Sequence, residues 1–418
     1  MFKQICTLAC ILSLVGCSTG RQDSVSHSAI LETYIAIAQA AYEDSLISAR
    51  VLEDAIDAFL ADPNQTTLTY ARNAWVAARI PYLQTEAFRF GNPVVDEWEG
   101  RVNSWPLDEG LIDYTAVSYG EESDNNYFYT ANIIANELID IGGISVDAAQ
   151  ITPQLLAETL HLIDGVESNV ATGYHAIEFL LWGQDLNGTN PGAGNRPATD
   201  YSLSECSNRN CDRRRDYLKA VTGLLVSDLE EMVYNWQPGG AAYLDLMQKG
   251  PEGGLATILT GMGSLAYGEL AGERIRLGLL LNDPEEEHDC FSDNTHNSHY
   301  YDALSIKNVY MGSYERINGN LVQGPSLARL MELEAPDLAA VMLARIESTE
   351  LAMDALLSEA AKGNTFDVLI ASNNLAGEEV VSRVVDSLME ETRTIEDIIR
   401  VLNLQNVSIS GSESLGEL

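Results

Sequence analysis

The 418-residue sequence predicts an all-α protein made of two bundle-like helical halves. Three observations predict it. Apolar residues recur at three and four positions over long stretches, and alternating strand patterns are almost absent. A Gly-, Asn-, Pro- and Ser-rich break at 187–210 parts two helical runs of similar size. About 400 residues past the leader exceed what one core usually supports. The expected division is therefore a helical domain at 29–186, a loop boundary at 187–212 and a second helical domain at 213–407.

At the N-terminus, Lys3 precedes an apolar run, 5–15, that closes in Leu14-Val15-Gly16-Cys17. The run is too short to span a bilayer, and small residues before a cysteine suit processing. Residues 1–17 therefore read as a lipoprotein signal peptide with a lipobox, Cys17 being the residue that takes lipid. Ser18 after it resembles the sorting pattern of outer-membrane lipoproteins, which places the protein in the bacterial cell envelope. Residues 18–28 form a polar tether, and no later apolar run is long enough to cross a membrane, so the lipid is the expected membrane contact.

Helical periodicity starts at Ile30 and runs to Leu60 through Tyr34, Ile37, Ala38, Ala41, Tyr42 and Leu46, stopping at Asp62-Pro63-Asn64. A second helix, 67–88, carries Tyr70, Ala74, Trp75 and Ala78, with Pro81 expected to kink it. Two long helices joined by a short turn point to a bundle. From 91 to 129 the periodicity lapses into a segment rich in acids and aromatics, and Trp98 and Trp105 argue against disorder. It reads as a folded site loop. Helices follow at 129–141 and at 153–164, where Thr152 is a fitting cap for Pro153 at the first helical position. A long apolar helical segment then opens at Gly173. The second half carries helices at 213–234, 255–281, 300–311, 327–333, 336–361 and 378–402, and 408–418 reads as a loose tail.

Charge and cysteine usage narrow the function. With 62 acidic against 24 basic residues the formal net charge is −38, which excludes nucleic acid and anionic membrane faces as partners and draws cations to the surface. Cys6 and Cys10 leave with the leader, and Cys206 and Cys211 are the expected disulfide of an oxidising compartment, with Cys290 left over. The absence of a Cys-x-x-Cys pair weakens a thiolate metal site.

Histidine is scarce, six in the whole chain, so Gly173-Tyr174-His175-Ala176-Ile177-Glu178 stands out. On a helix the His175 and Glu178 side chains share one face with Cβ atoms about 5 to 6 Å apart, near enough to meet at one metal ion. A simple ion pair at this spacing is the commoner origin of such a pattern. The apolar surroundings require a partner that offsets desolvation. One imidazole and one carboxylate are half a site, and a mixed nitrogen and oxygen set suits a divalent or trivalent ion, iron or zinc foremost. Asp108, Glu109 and Asp113 in the loop, and Glu86 at the end of the second helix, are the acids that could complete it. Around Glu285-Glu286-Glu287-His288-Asp289, the residues His288, Asp293 and His296 could hold a second cation, a hydrophilic acidic loop being the alternative. The run lacks both the His-Glu-x-x-His order and its inverted form, since Phe179 follows Glu178. The glycine-spaced stretch Gly261 to Gly272 has no preceding strand and no phosphate-loop ending, and reads as close helix packing through Gly268 and Gly272.

Four segments together resemble the imelysin-like family, and within it the iron-regulated lipoprotein branch. They are Gly173-x-His175-x-x-Glu178, the Gly100-Arg101 to Tyr114 loop with Trp105-Pro106-Leu107-Asp108-Glu109-Gly110, the Gly268-Glu269-Leu270-Ala271-Gly272-Glu273-Arg274 stretch, and His288-Asp289-Cys290-Phe291-Ser292-Asp293-Asn294-Thr295-His296. The resemblance implies two helical bundle-like domains with the Gly-x-His-x-x-Glu helix near their interface, an envelope location and a link to iron uptake. It also implies kinship with proteins first described as insulin-cleaving membrane proteases and classed as metallopeptidases. The expected function is metal binding by an envelope lipoprotein in iron uptake or handling, with outer-membrane or periplasmic iron-transport components as partners. The alternatives are a metallopeptidase with Glu178 as base, and an acidic surface protein that engages a transporter or polysaccharide.

Overall fold

Ser26 starts the first helix by accepting a hydrogen bond from the Ala29 N–H at 3.1 Å in the computed structural model, which describes residues 25–412 and 415. The signal peptide 1–17 with Cys17, and residues 18–24 of the tether, lie outside the described residues. Helix α1, His27–Ala61, buries the periodic set Ile30, Tyr34, Ile37, Ala38, Ala41 and Tyr42. Asn64 and Thr67 form a capping box that opens α2, Gln65–Leu83. Pro81 lies in its last turn, so it does not kink a continuing helix; the chain tightens instead into a 3-10 turn, Glu86–Phe88.

The segment expected to be loop holds a helix, α3, Pro93–Asn103, with Pro93 at its first position, and a single turn α4, Glu109–Ile112. The expected helix at 129–141 is corrected to turns that lead into a hairpin, β1 (Leu138–Ile141) against β2 (Ile144–Asp147). Gly142 and Gly143, both at positive φ (60° and 84°), supply the turn that a helix reading overlooks. Thr152 does cap α5, Pro153–Leu155, through the Leu155 N–H at 3.1 Å. The helix then widens into one π turn, Leu156–Leu160, and stops short of 164 because Leu162 and Asp164 adopt φ of 56° and 62°.

The remaining helices are α6 (Gly173–Trp182), α7 (Cys211–Asn235), α8 (Ala241–Gln248), α9 (Gly250–Ser264), α10 (Leu277–Leu281), α11 (Thr295–Met311), α12 (Leu327–Glu334), α13 (Pro336–Ala360), α14 (Phe366–Ile370) and α15 (Leu375–Val401). A π-helical stretch, Leu265–Arg276, joins α9 to α10. A second short hairpin, β3 (Ser313–Glu315) with β4 (Leu321–Gln323), follows α11. The Cys206–Cys211 disulfide is formed at the start of α7, and Cys290 has no disulfide partner among the described residues.

The fold is predominantly helical, and its packing groups α1, α2, α6 and α7 in one bundle and α9 with its π extension, α11, α13 and α15 in another. The expected boundary at 187–212 therefore moves to the far side of α7. That helix buries Tyr217, Leu218, Val221 and Leu225 and packs on α1 and α6. Between the bundles α1 meets α9 and α2 meets α11, so the buried apolar residues form one continuous cluster. The glycine stripe packs chain rather than a helix: a Cβ on Gly263 would stand 2.6 Å from Ile409 and one on Gly268 2.6 Å from the Ser410 carbonyl oxygen. The tail is thus seated as far as Ser410, whose N–H donates to Ser264 Oγ at 3.0 Å. No helix among the described residues is long and apolar enough to cross a membrane.

Candidate metal centre

The position of α6 is fixed by Gly173, which sits at φ 81° with its Cα facing the Val102 carbonyl of α3. Thr172 ties the same corner by donating its hydroxyl to the Arg101 carbonyl at 2.8 Å. Every residue of α6 is buried, and α2 satisfies its backbone from the side: Trp75 Nε1 donates to the Tyr174 carbonyl at 3.0 Å, and Arg72 donates to the Leu181 carbonyl. Gly183 at φ 71° ends the helix. Sliding α6 along α2 would break the buried Trp75–Tyr174 hydrogen bond.

Onto α6 folds the loop before α11. His175 Nδ1 lies 3.0 Å from Glu178 Oε2 and 3.9 Å from Asp289 Oδ1, while His288 Nδ1 lies 3.6 Å from the same Asp289 oxygen. Donor atoms of His175, His288 and Asp289 all fall within 4.8 Å of one another. Two ligand atoms that share one ion at bonds of about 2.0–2.2 Å stand roughly 3.0–3.5 Å apart, so the set needs only small adjustments to close around one. All four side chains are buried, and His175 Nε2 has no hydrogen-bond partner among the described residues. Asp289 Oδ2 is held by Asn294 Nδ2 at 2.9 Å and by the Ser298 hydroxyl, which aims Oδ1 at the imidazoles. Glu178 Oε1 accepts from the Ser292 N–H and hydroxyl at 3.0 and 2.7 Å.

Arg79 of α2 is the fifth member. Its guanidinium donates to Asp289 Oδ1 at 2.9 Å and to Asn103 Oδ1 at 2.6 Å, reaches 3.4 Å from His288 Nδ1, and packs among the rings of Trp75, Tyr82 and Tyr174. Its charge divides the protonation states. Burial pushes the Asp289 carboxyl up, but Arg79 and His175 outweigh it and hold the group below its ordinary range. Burial, together with the Asp289 charge, lifts Glu178 well above the usual carboxylate range. Burial and then Arg79 lower His175 to about 3, and burial, then Arg274, hold His288 well below the usual imidazole range. These shifts favour neutral imidazoles and an ionised Asp289, and they favour the protonated form of Glu178. A cleft of about 530 Å³, bordered by His288, Trp105, Glu99 and Glu269, opens onto it. Trp105 brackets that mouth, its Nε1 donating to the Glu287 carbonyl at 2.7 Å and its ring edge-on to His288 at 5.7 Å.

The other acids expected beside His175 are elsewhere, each with its own partner. Asp113 is buried between Arg196 (2.6 Å) and Arg214 (2.6 Å). Glu86 pairs with Arg274 at 2.8 Å. Asp108 accepts from Asn126 and Ser168, both at 2.6 Å, and Glu109 faces Gln184 at 3.4 Å. For Asp113 and Glu86 the reason is electrostatic: a buried acid is stabilised by a nearby buried arginine, and sequence spacing does not reveal which arginine that is. The expected second set also divides. His288 joins His175, Asp293 joins Asp185 and Asp367, and His296 Nε2 contacts the Asn297 amide at 3.1 Å. Asp289 and Arg79 were missed as site residues. The signal for Arg79 is its place on the α2 face that buries Trp75 and Tyr82, where an arginine needs a buried acid.

The sequence profile of the peptidase M75 family, imelysin, matches residues 38–395. The chain belongs to the imelysin family. This imelysin relative is 27% identical over 97 residues to iron-regulated protein A of Synechococcus elongatus, a match that covers 23% of this chain and only 25% of that protein. In fold it resembles a protein of Parabacteroides distasonis described as an iron-regulated protein A precursor, with TM-score 0.65 and 20% identity over 90% of this chain and 95% of that one. It also resembles an imelysin-like protein of Psychrobacter arcticum, with TM-score 0.61 and 15% identity over 91% and 98% of the two chains.

Proposed function

We propose that this imelysin binds a transition-metal ion, iron foremost, at His175, His288, Asp289 and Glu178, and acts in iron uptake or handling as a lipoprotein of the bacterial outer membrane. The observation that carries the reading is the convergence of His175, His288 and Asp289 donor atoms within 4.8 Å inside the protein. Two imidazoles and one carboxylate match the donor set of non-haem iron(II) sites, and zinc accepts the same atoms. Arg79 keeps Asp289 ionised, and a bound ion would supply positive charge that draws the proton from Glu178. The iron-regulated names of two relatives support iron. The lipobox ending at Cys17 and the Cys206–Cys211 disulfide support an oxidising envelope compartment. Periplasmic or outer-membrane iron-transport components are the partners this reading implies.

The family's peptidase name motivates the second reading, with Glu178 as base. One feature weighs against it: Glu178 is used within the donor set, its Oε2 lying 3.0 Å from His175 Nδ1 and its Oε1 held by Ser292, which leaves no oxygen for an activated water. Elemental analysis of protein purified from iron-replete cells tests the proposal. Wild type is expected to carry about one equivalent of metal and His175→Ala and His288→Ala less than about a tenth of that; equal metal in all three overturns it. Peptide cleavage that is lost in Glu178→Gln while metal is retained would establish the peptidase reading instead.

A further inference from the structure

Past the C-terminal end of α6, three carboxylates from separate stretches of chain meet: Asp185 follows the Gly183 cap, Asp293 lies in the loop before α11, and Asp367 in the first turn of α14. One oxygen of each lies within 4.8 Å of the others. Asp367 is 0% and Asp293 8% exposed, and Asp185 is half-buried. Among the described residues no donor reaches hydrogen-bonding geometry on either oxygen of Asp367 or on Oδ1 of Asp293, although the Thr365 hydroxyl and the Val368 N–H of the same turn act on the Asp367 carboxyl, and Asp185 Oδ1 accepts from the Asn187 N–H and side-chain amide at 2.9 and 2.7 Å. The charged groups that act most on Asp293 are Asp367 and Asp185 themselves, and the buried carboxyl of Glu287 lies in the field of all three.

Three of the buried acids elsewhere in this protein are answered by arginines: Asp113 by Arg196 and Arg214, Glu86 by Arg274, Asp289 by Arg79. Among the described residues no arginine or lysine forms an ion pair with Asp185, Asp293 or Asp367. Three carboxylates left facing one another repel, and a buried carboxylate with no donor forfeits its hydration. A fully buried, unpartnered Asp367 turned into such a group is the arrangement a bound cation resolves.

We propose that Asp185, Asp293 and Asp367 bind a hard divalent cation of the calcium class, at a site separate from the histidine centre. The donor set is all oxygen, with no imidazole or thiolate. Calcium takes six to eight oxygens in flexible geometry, whereas magnesium keeps most of its water and accepts only one or two carboxylates. Asp185 also borders a cleft of about 520 Å³ lined by Asp108, Glu109 and Glu285, which gives a cation an acidic path from solvent. Asp293 and Asp289 lie on one loop, so an ion on Asp293 would brace the segment that carries His288 and Asp289 to His175. The proposal stands on its own geometry, independent of whether the histidine centre binds iron.

Calorimetric titration of calcium chloride into chelator-stripped protein, at about 0.15 M salt to screen diffuse surface binding, tests it. Wild type and His175→Ala are expected to bind one calcium ion with equal affinity. Asp367→Asn and the half-buried Asp185→Asn should bind at least about tenfold more weakly, since even outer partners of metal ligands contribute roughly 10- to 100-fold. Calcium should likewise raise the Tm of wild type and His175→Ala but not of Asp367→Asn. If Asp367→Asn fails to fold, Asp185→Asn carries the comparison. Equal calcium binding in wild type and both asparagine variants overturns the proposal, as does loss of the calcium site in His175→Ala.

Discussion

Gly173→Ala is expected to disturb both stability and the metal centre, and two separable costs set the size of the effect. Gly173 holds φ at 81°, a conformation that costs an L-residue about 1–2 kcal/mol. An alanine Cβ there would also stand 2.4 Å from the Val102 carbonyl oxygen and 2.5 Å from its carbon. Both are backbone atoms of α3 and cannot rotate away, so α6 must shift, at an overpacking cost of about 1–3 kcal/mol. The shift strains the Thr172–Arg101 and Trp75–Tyr174 hydrogen bonds and displaces His175 two residues on. Gly165 supplies the control, because it adopts φ 71° with no atom within 4 Å of a built Cβ. Gly165→Ala should therefore lose only the conformational part, about 1–2 kcal/mol, and Gly173→Ala about 2–5 kcal/mol in total. Urea unfolding gives both numbers, and elemental analysis should show metal lost in Gly173→Ala and kept in Gly165→Ala. If the two variants unfold at the same midpoint, close approach of α3 is not what requires glycine at 173.

Three further outcomes follow from the same geometry. Asp113→Asn removes the acid between buried Arg196 and Arg214, leaving Arg196 with Asp200 at 3.4 Å, and should cost about 3–5 kcal/mol by denaturant titration, with metal content unchanged; loss of metal would return Asp113 to the centre. Glu391 is buried against Thr349, and burial pushes its carboxyl to about 7. A raised folded value means that the stability it contributes is full below the unfolded value near 4.5 and is lost as pH rises through about 7. Thermal unfolding of Glu391→Gln should therefore match wild type at pH 4 and exceed it at pH 9, by up to about 3 kcal/mol; parallel pH curves would refute this. Glu178 must shed its proton to ligate, whereas His175, lowered to about 3, is neutral throughout. Metal affinity should thus rise with pH, with proton release seen as a buffer-dependent heat in calorimetry. A pH-independent affinity would mean that Glu178 is not a ligand.

The long helices were legible because each carries its own pattern. Tyr34, Ile37, Ala38 and Ala41 mark α1 without help from any other part of the chain, and Thr152 and Pro153 announce the start of α5. The turn at Gly142-Gly143 was legible in principle but lost to an apolar run that fits either a helix or a strand. For the site, Gly173, His175 and Glu178 were readable because they share one helix turn. Asp289 was passed over because an acid in an acidic stretch carries no mark of its own, and His288 was grouped with His296, its near neighbour in sequence rather than in space.

What the sequence by itself determined is therefore local: the helical class, the Gly-x-His-x-x-Glu face, the cysteine pair and the scarcity of basic residues. Which buried acid meets which buried cation was decided only by the tertiary structure. Arg79, Arg196, Arg214 and Arg274 are few among many acids, and each is placed by packing of helices far apart in the chain. Once Asp113 and Glu86 had taken arginines, Asp289 was left to share Arg79 with two histidines, and Asp185, Asp293 and Asp367 were left without any. Burial makes those long-range pairings strong, since charges withdrawn from water must be answered nearby, and only the folded chain defines what is near.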